Sequence, residues 1–151
     1  MATWERFEKE TGELAAAVRA RFAAGRTHVL ATLRRDGSPR VSGTEVDFRG
    51  PDLSFGSMRG AVKARDLLRD GRCAIHAHPY GEGDGDAKVA GVAVEVPGTD
   101  LATYTTGSEP PGGFHAFRLD LHEAVLTRVV GGELVIDVWR PGRGVVTHHR
   151  V

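Results

Sequence analysis

The sequence has few of the features that mark membrane, secreted or nucleic-acid-binding proteins. It contains no run of about 18 apolar residues, so we expect no transmembrane span and no membrane partner. The 20 basic and 20 acidic residues balance, and without a basic excess we expect no nucleic-acid partner. The N-terminus shows no signal-peptide pattern, and we therefore expect a cytoplasmic protein.

Cysteine and lysine are both scarce. The single cysteine, Cys73, stands in the apolar run CAIHA, which predicts a buried and unreactive thiol in a reducing compartment. Only Lys9, Lys63 and Lys88 are lysines among the 20 basic residues. In a chain that otherwise uses arginine, a lysine marks a position where a compact point charge is preferred to a planar fork.

The length of 151 residues predicts one domain. We divide residues 1–151 into an N-terminal helical part (1–26), two stretches of barrel (27–96 and 114–146) and a variable excursion (97–113). The excursion holds several prolines and glycines, which favour irregular structure.

Residues 3–24 have the periodicity of one amphipathic helix. Apolar side chains recur at helical spacing along one stripe, namely Trp4, Phe7, Leu14, Val18 and Phe22. Thr3 or Ala2 would stand at the start of this helix and Gly25 at its end.

From residue 28 onward the period changes to two, which predicts strands. The extended runs are HVLATL, RVSGTEVDF, LSFGS, CAIHAHP, AKVAGVAVEV, residues 114–130 and LVIDVW, and the tail RPGRGVVTHHRV (140–151) is expected to add an edge segment. Val41 and Val46 lie on opposite parities of the second run, so we expect a bulge at Gly43–Glu45. Many short antiparallel strands with few helices favour a small barrel.

The stretch GSMRGAVKARDLLRD, residues 56–70, carries Arg59, Lys63 and Arg65 around the predicted start of a helix near Gly60–Ala61. Cations at this end oppose the helix dipole, at a cost of about 0.3–1 kcal/mol each. A bound phosphate would reverse the sign of each of these terms.

Two interpretations of this basic helix start remain open. In the first, Ser57, Arg59 and Lys63 bind an anion together with free backbone N–H groups. In the second, the cations form a solvated face that Asp66 and Asp70 partly neutralise.

Other chemistry-bearing patterns are weaker. His76 and His78 point to one face of a strand, but no third ligand is evident, and the acidic loop YGEGDGD (80–86) lacks the full pattern of a calcium loop. We therefore expect no metal site. The sequence also lacks a Gly-x-Ser-x-Gly nucleophile motif.

An ordered set of segments resembles the pyridoxamine 5′-phosphate oxidase-like split-barrel flavoproteins. The segments are HVLATLRRDGSPRVSGTEV, LSFGSMRGAVKARDLLRD, GDAKVAGVAVEV, FRLDLHEAVLTRV and VWRPGRGV, which cover residues 27–96 and 114–146. More narrowly, they are similar to the actinobacterial branch that includes deazaflavin-dependent oxidoreductases.

The resemblance implies a mainly β fold, a six-stranded antiparallel split β-barrel with an N-terminal helix and a mid-chain helix. It also implies a homodimer with a flavin-type cofactor at the dimer interface. The residues that match cofactor-binding positions are Ser57, Arg59 and Lys63 for the phosphate, Leu33, Ser42 and Thr44 for the ring, and Trp139 and Arg143 in a segment that reaches across the interface. Asp66 and Gly71 depart from the family pattern, which often has Asn and Pro at these positions.

The function implied by the resemblance is an oxidoreductase that transfers hydride or electrons to a small organic substrate. FMN is the favoured cofactor and coenzyme F420, a deazaflavin, is the alternative. Because such a cofactor carries the redox chemistry itself, we name no catalytic side chain. A different class of protein stays open, namely a non-catalytic module that binds or stores flavin or heme.

Overall fold

The computed structural model describes residues 1–79, 85–107, 109–110 and 112–151. The helices of this part are α1 (Trp4–Thr11), α2 (Glu13–Ala23), α3 (Val62–Arg69) and a 3₁₀ helix (Gly98–Tyr104). The strands are β1 (His28–Leu33), β2 (Pro39–Thr44), β3 (Val46–Arg49), β4 (Asp52–Met58), β5 (Arg72–His76), β6 (Asp86–Glu95), β7 (Phe114–Val130), β8 (Glu133–Arg140) and β9 (Gly144–Arg150). Most of the predicted acidic loop, residues 80–84, lies outside the described residues. Within the described part, every helix is too short or too polar to cross a membrane.

The N-terminal region contains two helices, so the prediction of one helix over 3–24 was wrong. The first helix begins at the N-cap Thr3, whose side chain accepts a hydrogen bond from the amide of Arg6 at 3.1 Å. It ends at Gly12, which has φ 57° and donates its N–H to the carbonyl of Glu8 at 2.9 Å. A positive φ favours glycine, and this residue divides the two helices. The predicted apolar stripe still faces inward, because all five of its residues are buried.

The nine strands of the described residues belong to one antiparallel sheet, which confirms a mainly β fold. The hydrogen-bonded path is β2–β1–β5–β6–β7–β4–β3, and β8 and β9 continue from β7. The expectation of six strands was wrong, because the predicted second strand is divided in two and the β8–β9 hairpin enlarges the sheet. The long β7 supports both parts of the sheet: residues 114–118 pair with β4 and residues 124–130 pair with β8.

The division between β2 and β3 lies at Glu45, where the change of parity predicted a bulge. Thr44 at the end of β2 pairs with His28 of β1, whereas Val46 at the start of β3 pairs with Phe55 of β4. The chain therefore passes from one end of the sheet path to the other at this residue. No ladder joins β2 to β3 in the described residues, so strand pairing does not close the barrel.

The core contains an aromatic cluster between α1 and the sheet. The Trp139 side chain is fully buried, with its ring centroid 4.5 Å from that of Phe7, and Phe7 in turn packs edge-on against Trp4 at 5.0 Å. Glu10 of α1 accepts hydrogen bonds from Nε1 of Trp139 at 3.3 Å and from the amide of Gly142 at 3.0 Å. These bonds fix α1 to the turn between β8 and β9.

Candidate functional site

A groove of about 760 Å³ lies over β3, β4 and the start of β7. Its volume is within the range of about 300–1,000 Å³ that is usual for small-molecule sites. The strands, α3 and the segment after β6 all contribute to its lining, which includes Gly43, Thr44, Asp47, Arg49, Gly56, Ser57, Lys63, Tyr104, Thr106, Glu109, Phe114 and Ala116.

Lys63 brings a positive charge into this groove. Its side chain is half-buried, and Nζ donates a hydrogen bond to the carbonyl of Gly43 at 2.7 Å. Burial lowers the pKa of Lys63, because the charged form is less well solvated. Within the described residues, the partner of the ammonium is this backbone carbonyl. Because an ammonium has three N–H donors, the others can bind a ligand.

The start of α3 adds to the attraction for an anion. The helix is capped by Ala61, which makes no side-chain capping bond, and its first turn contains no acidic residue. The partial positive charge of a helix start is therefore not offset locally. Helix starts of this kind commonly bind phosphate groups.

Asp66 holds α3 on the sheet one turn beyond Lys63. Its buried carboxylate accepts hydrogen bonds from Thr32 Oγ1 at 2.8 Å, Arg40 Nε at 2.7 Å and Arg69 at 2.9 Å. Burial alone would raise the pKa of Asp66, but the hydrogen bonds from these neighbours lower it below its usual value. The helix that carries Lys63 is therefore fixed to both β1 and β2.

Part of the groove lining consists of small residues. Gly56 of β4 lies opposite Ala116 of β7, and both line the groove. A Cβ atom on Gly56 would meet no atom nearer than the carbonyl oxygen of His115 at 3.5 Å, an ordinary contact. This glycine is therefore not required by the backbone, and its effect is to leave a patch without a side chain, where a planar ring has space.

Three of the predicted cofactor-binding residues line the groove, namely Ser57, Lys63 and Thr44. Thr44 is buried at the end of β2. Ser57 is buried near the end of β4, where its Oγ donates to the carbonyl of Met58 at 3.2 Å. The structure thus brings the central predicted phosphate residues, Ser57 and Lys63, to one groove.

Three others lie outside the groove lining. Leu33 is half-buried at the end of β1, and Ser42 of β2 has a buried Oγ with no hydrogen-bond partner among the described residues. Arg59 is exposed in the turn after β4, where its Nε lies 2.8 Å from the position that a Cβ on Gly113 would take. The roles predicted for these residues remain predictions.

The C-terminal pair is also outside the groove lining. Trp139 belongs to the aromatic cluster under α1, and Arg143 is exposed in the β8–β9 turn, where its amide donates to the carbonyl of Arg140 at 3.0 Å. Their predicted contact with a cofactor of a second subunit is untested.

The sequence reasoning missed the part of the lining that comes from the predicted variable excursion. Tyr104, Thr106 and Glu109 all line the groove, as does Arg49 at the end of β3. The segment 98–107 has neither apolar periodicity nor a motif, so no local signal in the sequence links it to a site. Only its position against β3 and β7 shows that it forms a wall.

Comparison of the sequence with known proteins finds no relative, whereas comparison of the structure finds proteins of similar fold. No family model matches the chain, and no curated protein matches it. The narrower resemblance to the actinobacterial branch is therefore unsupported by sequence comparison.

Several solved structures do match. A pyridoxamine 5′-phosphate oxidase-related, FMN binding protein from Nostoc punctiforme PCC 73102 is 14% identical with a TM-score of 0.65, over 93% of this chain and 96% of that one. PhzG from Burkholderia lata 383, solved with tetrahydrophenazine-1-carboxylic acid, is 17% identical with a TM-score of 0.64, over 90% and 87% of the two chains. A heme binding protein from Mycobacterium smegmatis is 19% identical with a TM-score of 0.54, over 89% and 87%.

These identities are low, and the likeness establishes the fold alone. The chain has the fold of the pyridoxamine 5′-phosphate oxidase-like barrel proteins, a mainly β, antiparallel sheet with flanking helices. One of these proteins is an FMN binding protein and another a heme binding protein, so the shared fold does not by itself indicate a ligand.

Proposed function

We propose that this protein binds a flavin-type cofactor in the groove and acts as an oxidoreductase on a small organic substrate. FMN is the cofactor that we favour, and coenzyme F420 is the alternative. The proposal includes a cytoplasmic location and membership of the actinobacterial flavin and deazaflavin branch. When bound, the cofactor would supply the hydride chemistry, and the chain would bind and orient it.

The observation that carries the proposal is the environment of Lys63. A half-buried ammonium beside an uncapped helix start, with a carbonyl as its partner, is stabilised when an anion arrives. A phosphate can accept hydrogen bonds from Lys63 Nζ and from the first amides of α3. The patch of small residues at Gly56 and Ala116 has space for a planar ring attached to that phosphate.

The alternative of a non-catalytic module has one observation in its favour, the likeness in fold to a heme binding protein. Heme carboxylates would also be attracted by Lys63. The described lining of the groove contains no histidine or cysteine, and Met58 is its one sulfur-bearing side chain. Because haem iron is most often held by His or Cys, this lining favours a flavin.

The first experiment identifies the ligand. We expect mass spectrometry of the protein purified from its own host to detect FMN or the deazaflavin. The unloaded protein should bind the same compound in a fluorescence titration, and hemin should bind more weakly. Tight binding of hemin without binding of either flavin would contradict the proposal.

The second experiment separates an enzyme from a storage module. The loaded protein is mixed with NADPH or with reduced deazaflavin under nitrogen, and the flavin absorbance is followed, first alone and then after addition of a quinone acceptor. Reduction of the cofactor followed by multiple turnovers of the acceptor supports the oxidoreductase. Tight binding with no reduction and no turnover by either donor supports the module.

The proposal also includes a homodimer, which the outer face of the sheet supports. Val41, Ala31, Ala74 and Ala90 lie side by side in one row across β2, β1, β5 and β6. Val41 is 70% exposed, so an apolar face of small side chains is left open to solvent. Such a flat face can pack against its own copy across a two-fold axis.

The test of the dimer is the change of Val41 to Asp, measured by light scattering at micromolar concentration. We expect the natural chain to have the mass of a dimer and Val41→Asp to shift it towards the monomer. Val129→Asp is the matched control, because Val129 is 67% exposed on the distant end of β7. A natural chain that is monomeric, or equal effects of the two changes, would rule out this interface.

A further inference from the structure

One wall of the groove is formed by residues 98–107 and 109–110, here called the wall, and is tied to the sheet by Arg49. The two terminal nitrogens of this guanidinium donate to the carbonyls of Thr103 at 2.8 Å and Thr105 at 3.1 Å, while Nε is paired with Asp47. Two of these hydrogen bonds fix the backbone on both sides of Tyr104, and the third holds the planar guanidinium against Asp47. Tyr104 is therefore held at the wall, where it lines the groove.

The wall and the phosphate site occupy different parts of the groove. Lys63 contacts Gly43 on β2, whereas the wall contacts Arg49 at the end of β3. The hydrogen bond of Lys63 and those of the wall join different residues, so a phosphate bound by Lys63 leaves the wall in place to face a second molecule.

Most of the charged side chains that line the groove are paired. Arg49 is neutralised by Asp47, and Glu45 by Arg26 at 2.9 Å. What remains is the cation Lys63 and the carboxylate of Glu109, which comes from the wall.

Glu109 stays ionised in this position. Its carboxylate accepts the amide N–H groups of Thr106 and Gly107, the latter at 3.0 Å and 3.1 Å to the two oxygens. These bonds, first of all the bond with Thr106, lower the pKa of Glu109. With a phosphate on Lys63, the remaining charge at the wall is negative.

We propose that the wall selects the second ligand, and that it accepts uncharged or cationic aromatic compounds and rejects organic anions. Tyr104 offers a ring face for stacking and for cation–π contact, and Glu109 supplies the charge that repels a carboxylate. The inference rests on the proposed function, because it assigns the substrate class of the same groove.

The test uses three naphthalene ligands that differ in one substituent: 2-naphthylmethylammonium, 2-naphthamide and 2-naphthoate. Their affinities for the FMN-loaded protein are measured by calorimetry. We expect the ammonium compound to bind at least about tenfold more tightly than the carboxylate, with the amide between them, as expected for a charge several ångströms away in a partly solvated groove. Equal affinities, tighter binding of the carboxylate, or no binding by any of the three would overturn the inference.

Two variants assign the preference to the wall. Glu109→Gln should reduce the ratio between ammonium and carboxylate by about fivefold, because one unit charge is removed. Asp100→Asn is the matched control, since Asp100 lies in the same segment but outside the groove lining and the change of net charge is identical. If both variants change the ratio equally, the effect is one of net charge and the wall does not select.

A third variant separates this inference from the proposed function. In the natural chain the phosphate of FMN neutralises Lys63, whereas in Lys63→Met the substitution itself removes this charge. The three ligands should therefore bind Lys63→Met in the same order of affinity when FMN is absent. If FMN does not bind the natural chain but the expected order of affinities is found in Lys63→Met, the proposed cofactor is wrong and the inference that the wall selects a ligand is supported. If FMN binds the natural chain but the expected order of affinities is absent in both proteins, the inference that the wall selects a ligand is wrong and the proposed cofactor is supported.

Discussion

The aromatic cluster under α1 and the groove over β4 are built in opposite ways. In the cluster, large rings fill the space: Trp139 is fully buried and its ring contacts Phe7 at 4.5 Å. In the groove, Gly43 and Gly56 have no side chains to fill the space, and Lys63 brings a charge that forms no ion pair among the described residues. Close packing stabilises a fold, whereas open space and an unbalanced charge are useful only when a ligand is present.

The same contrast exists within α3, between two ionised residues one turn apart. The carboxylate of Asp66 is buried and has three hydrogen-bond donors, whereas the ammonium of Lys63 is half-buried and has one carbonyl partner. Asp66 therefore belongs with the packed region that stabilises the fold. Lys63 belongs with the groove.

The largest expected effect is at Trp139. Trp139→Ala should lower the free energy of unfolding by about 3–5 kcal/mol, because a fully buried ring is removed from a close-packed cluster. Urea unfolding measures this loss. The milder variant Trp139→Phe should remain folded and bind FMN as the natural chain does. A stable Trp139→Phe protein with reduced FMN affinity would instead support the predicted contact of Trp139 with a cofactor and would break the division between the two regions.

The next effect is at Asp66. Asp66→Ala should cost about 2–3 kcal/mol of unfolding free energy, since the arginines that lose their partner are partly solvent-exposed and can be rehydrated. Because the pKa of Asp66 is lowered in the folded state, its contribution is present above the ordinary carboxyl pKa and is lost as the pH falls through the folded value. The natural chain should therefore lose more stability than Asp66→Ala between pH 5 and acid, in paired urea titrations. Parallel pH curves for the two proteins would show that Asp66 does not stabilise the fold.

At Lys63 the expected effect is on binding. Lys63→Ala removes a charge-assisted hydrogen bond to the phosphate, worth about 1.5–3 kcal/mol, and should weaken FMN binding by about 10- to 150-fold. Lys63→Arg should recover part of the loss, because a planar fork does not occupy the position of an ammonium. The unloaded protein should keep its stability.

The matched control is Lys88→Ala, which removes the same charge from an exposed position on β6 outside the groove lining. Equal FMN affinity in Lys63→Ala and Lys88→Ala would show that the phosphate site lies elsewhere.

A smaller effect is expected at Gly56 in the groove lining. Gly56→Ala places a methyl group on the patch where a ring would lie, and it should weaken FMN binding by about 1 kcal/mol, or roughly fivefold. The fold should be unchanged, since the added atom meets only His115 O at 3.5 Å. Gly98→Ala is the control, because its Cβ would have no atom within 4 Å and it lies outside the groove lining. A Gly56→Ala protein that is less stable but binds FMN with unchanged affinity would show that the ring does not bind at this patch.

The smallest effect is a dependence on pH in the packed region. His28 is buried at the start of β1, and its Nδ1 accepts the amide N–H of His78 at 3.0 Å. Burial, and then the charge of His78, lower the pKa of His28. The unfolded chain thus binds the proton more readily, and stability should fall as the pH drops below about 6.5 towards the folded pKa. In urea unfolding from pH 8 to pH 5, His28→Gln should show a smaller decline than the natural chain, and the exposed His148→Gln should match the natural chain.

Much of the fold was predictable, because it depends on local patterns. The buried stripe from Trp4 to Phe22, the extended runs and the basic start of α3 are all visible in the sequence and present in the structure. The change of parity between Val41 and Val46 marked an irregularity at the right place, but the structure has a break between two strands at Glu45 where a bulge in one strand was predicted. The break at Gly12 was missed, because the apolar periodicity continues across it.

The strand count and the environment of Trp139 required the three-dimensional structure. The division of one run into β2 and β3 depends on their different neighbours, and β4 pairs with a strand some sixty residues further along the chain. The side chains of β8 alternate between the two faces of the sheet. Only the position of α1 decides that the face with Trp139 is the buried one.

The sequence by itself determined the elements and their chemistry: a basic helix start, small residues on β4, and lysine where arginine is the rule. These features depend only on residues that are close in the sequence, because the periodicity of a helix or a strand determines which neighbouring side chains share a face. The tertiary structure alone decided that Gly43 would be the partner of Lys63, that Gly56 would lie beside Ala116, and that the segment after β6 would form a wall held by Arg49. Each of these contacts joins residues at least twenty positions apart, and such contacts depend on how the whole sheet pairs and packs.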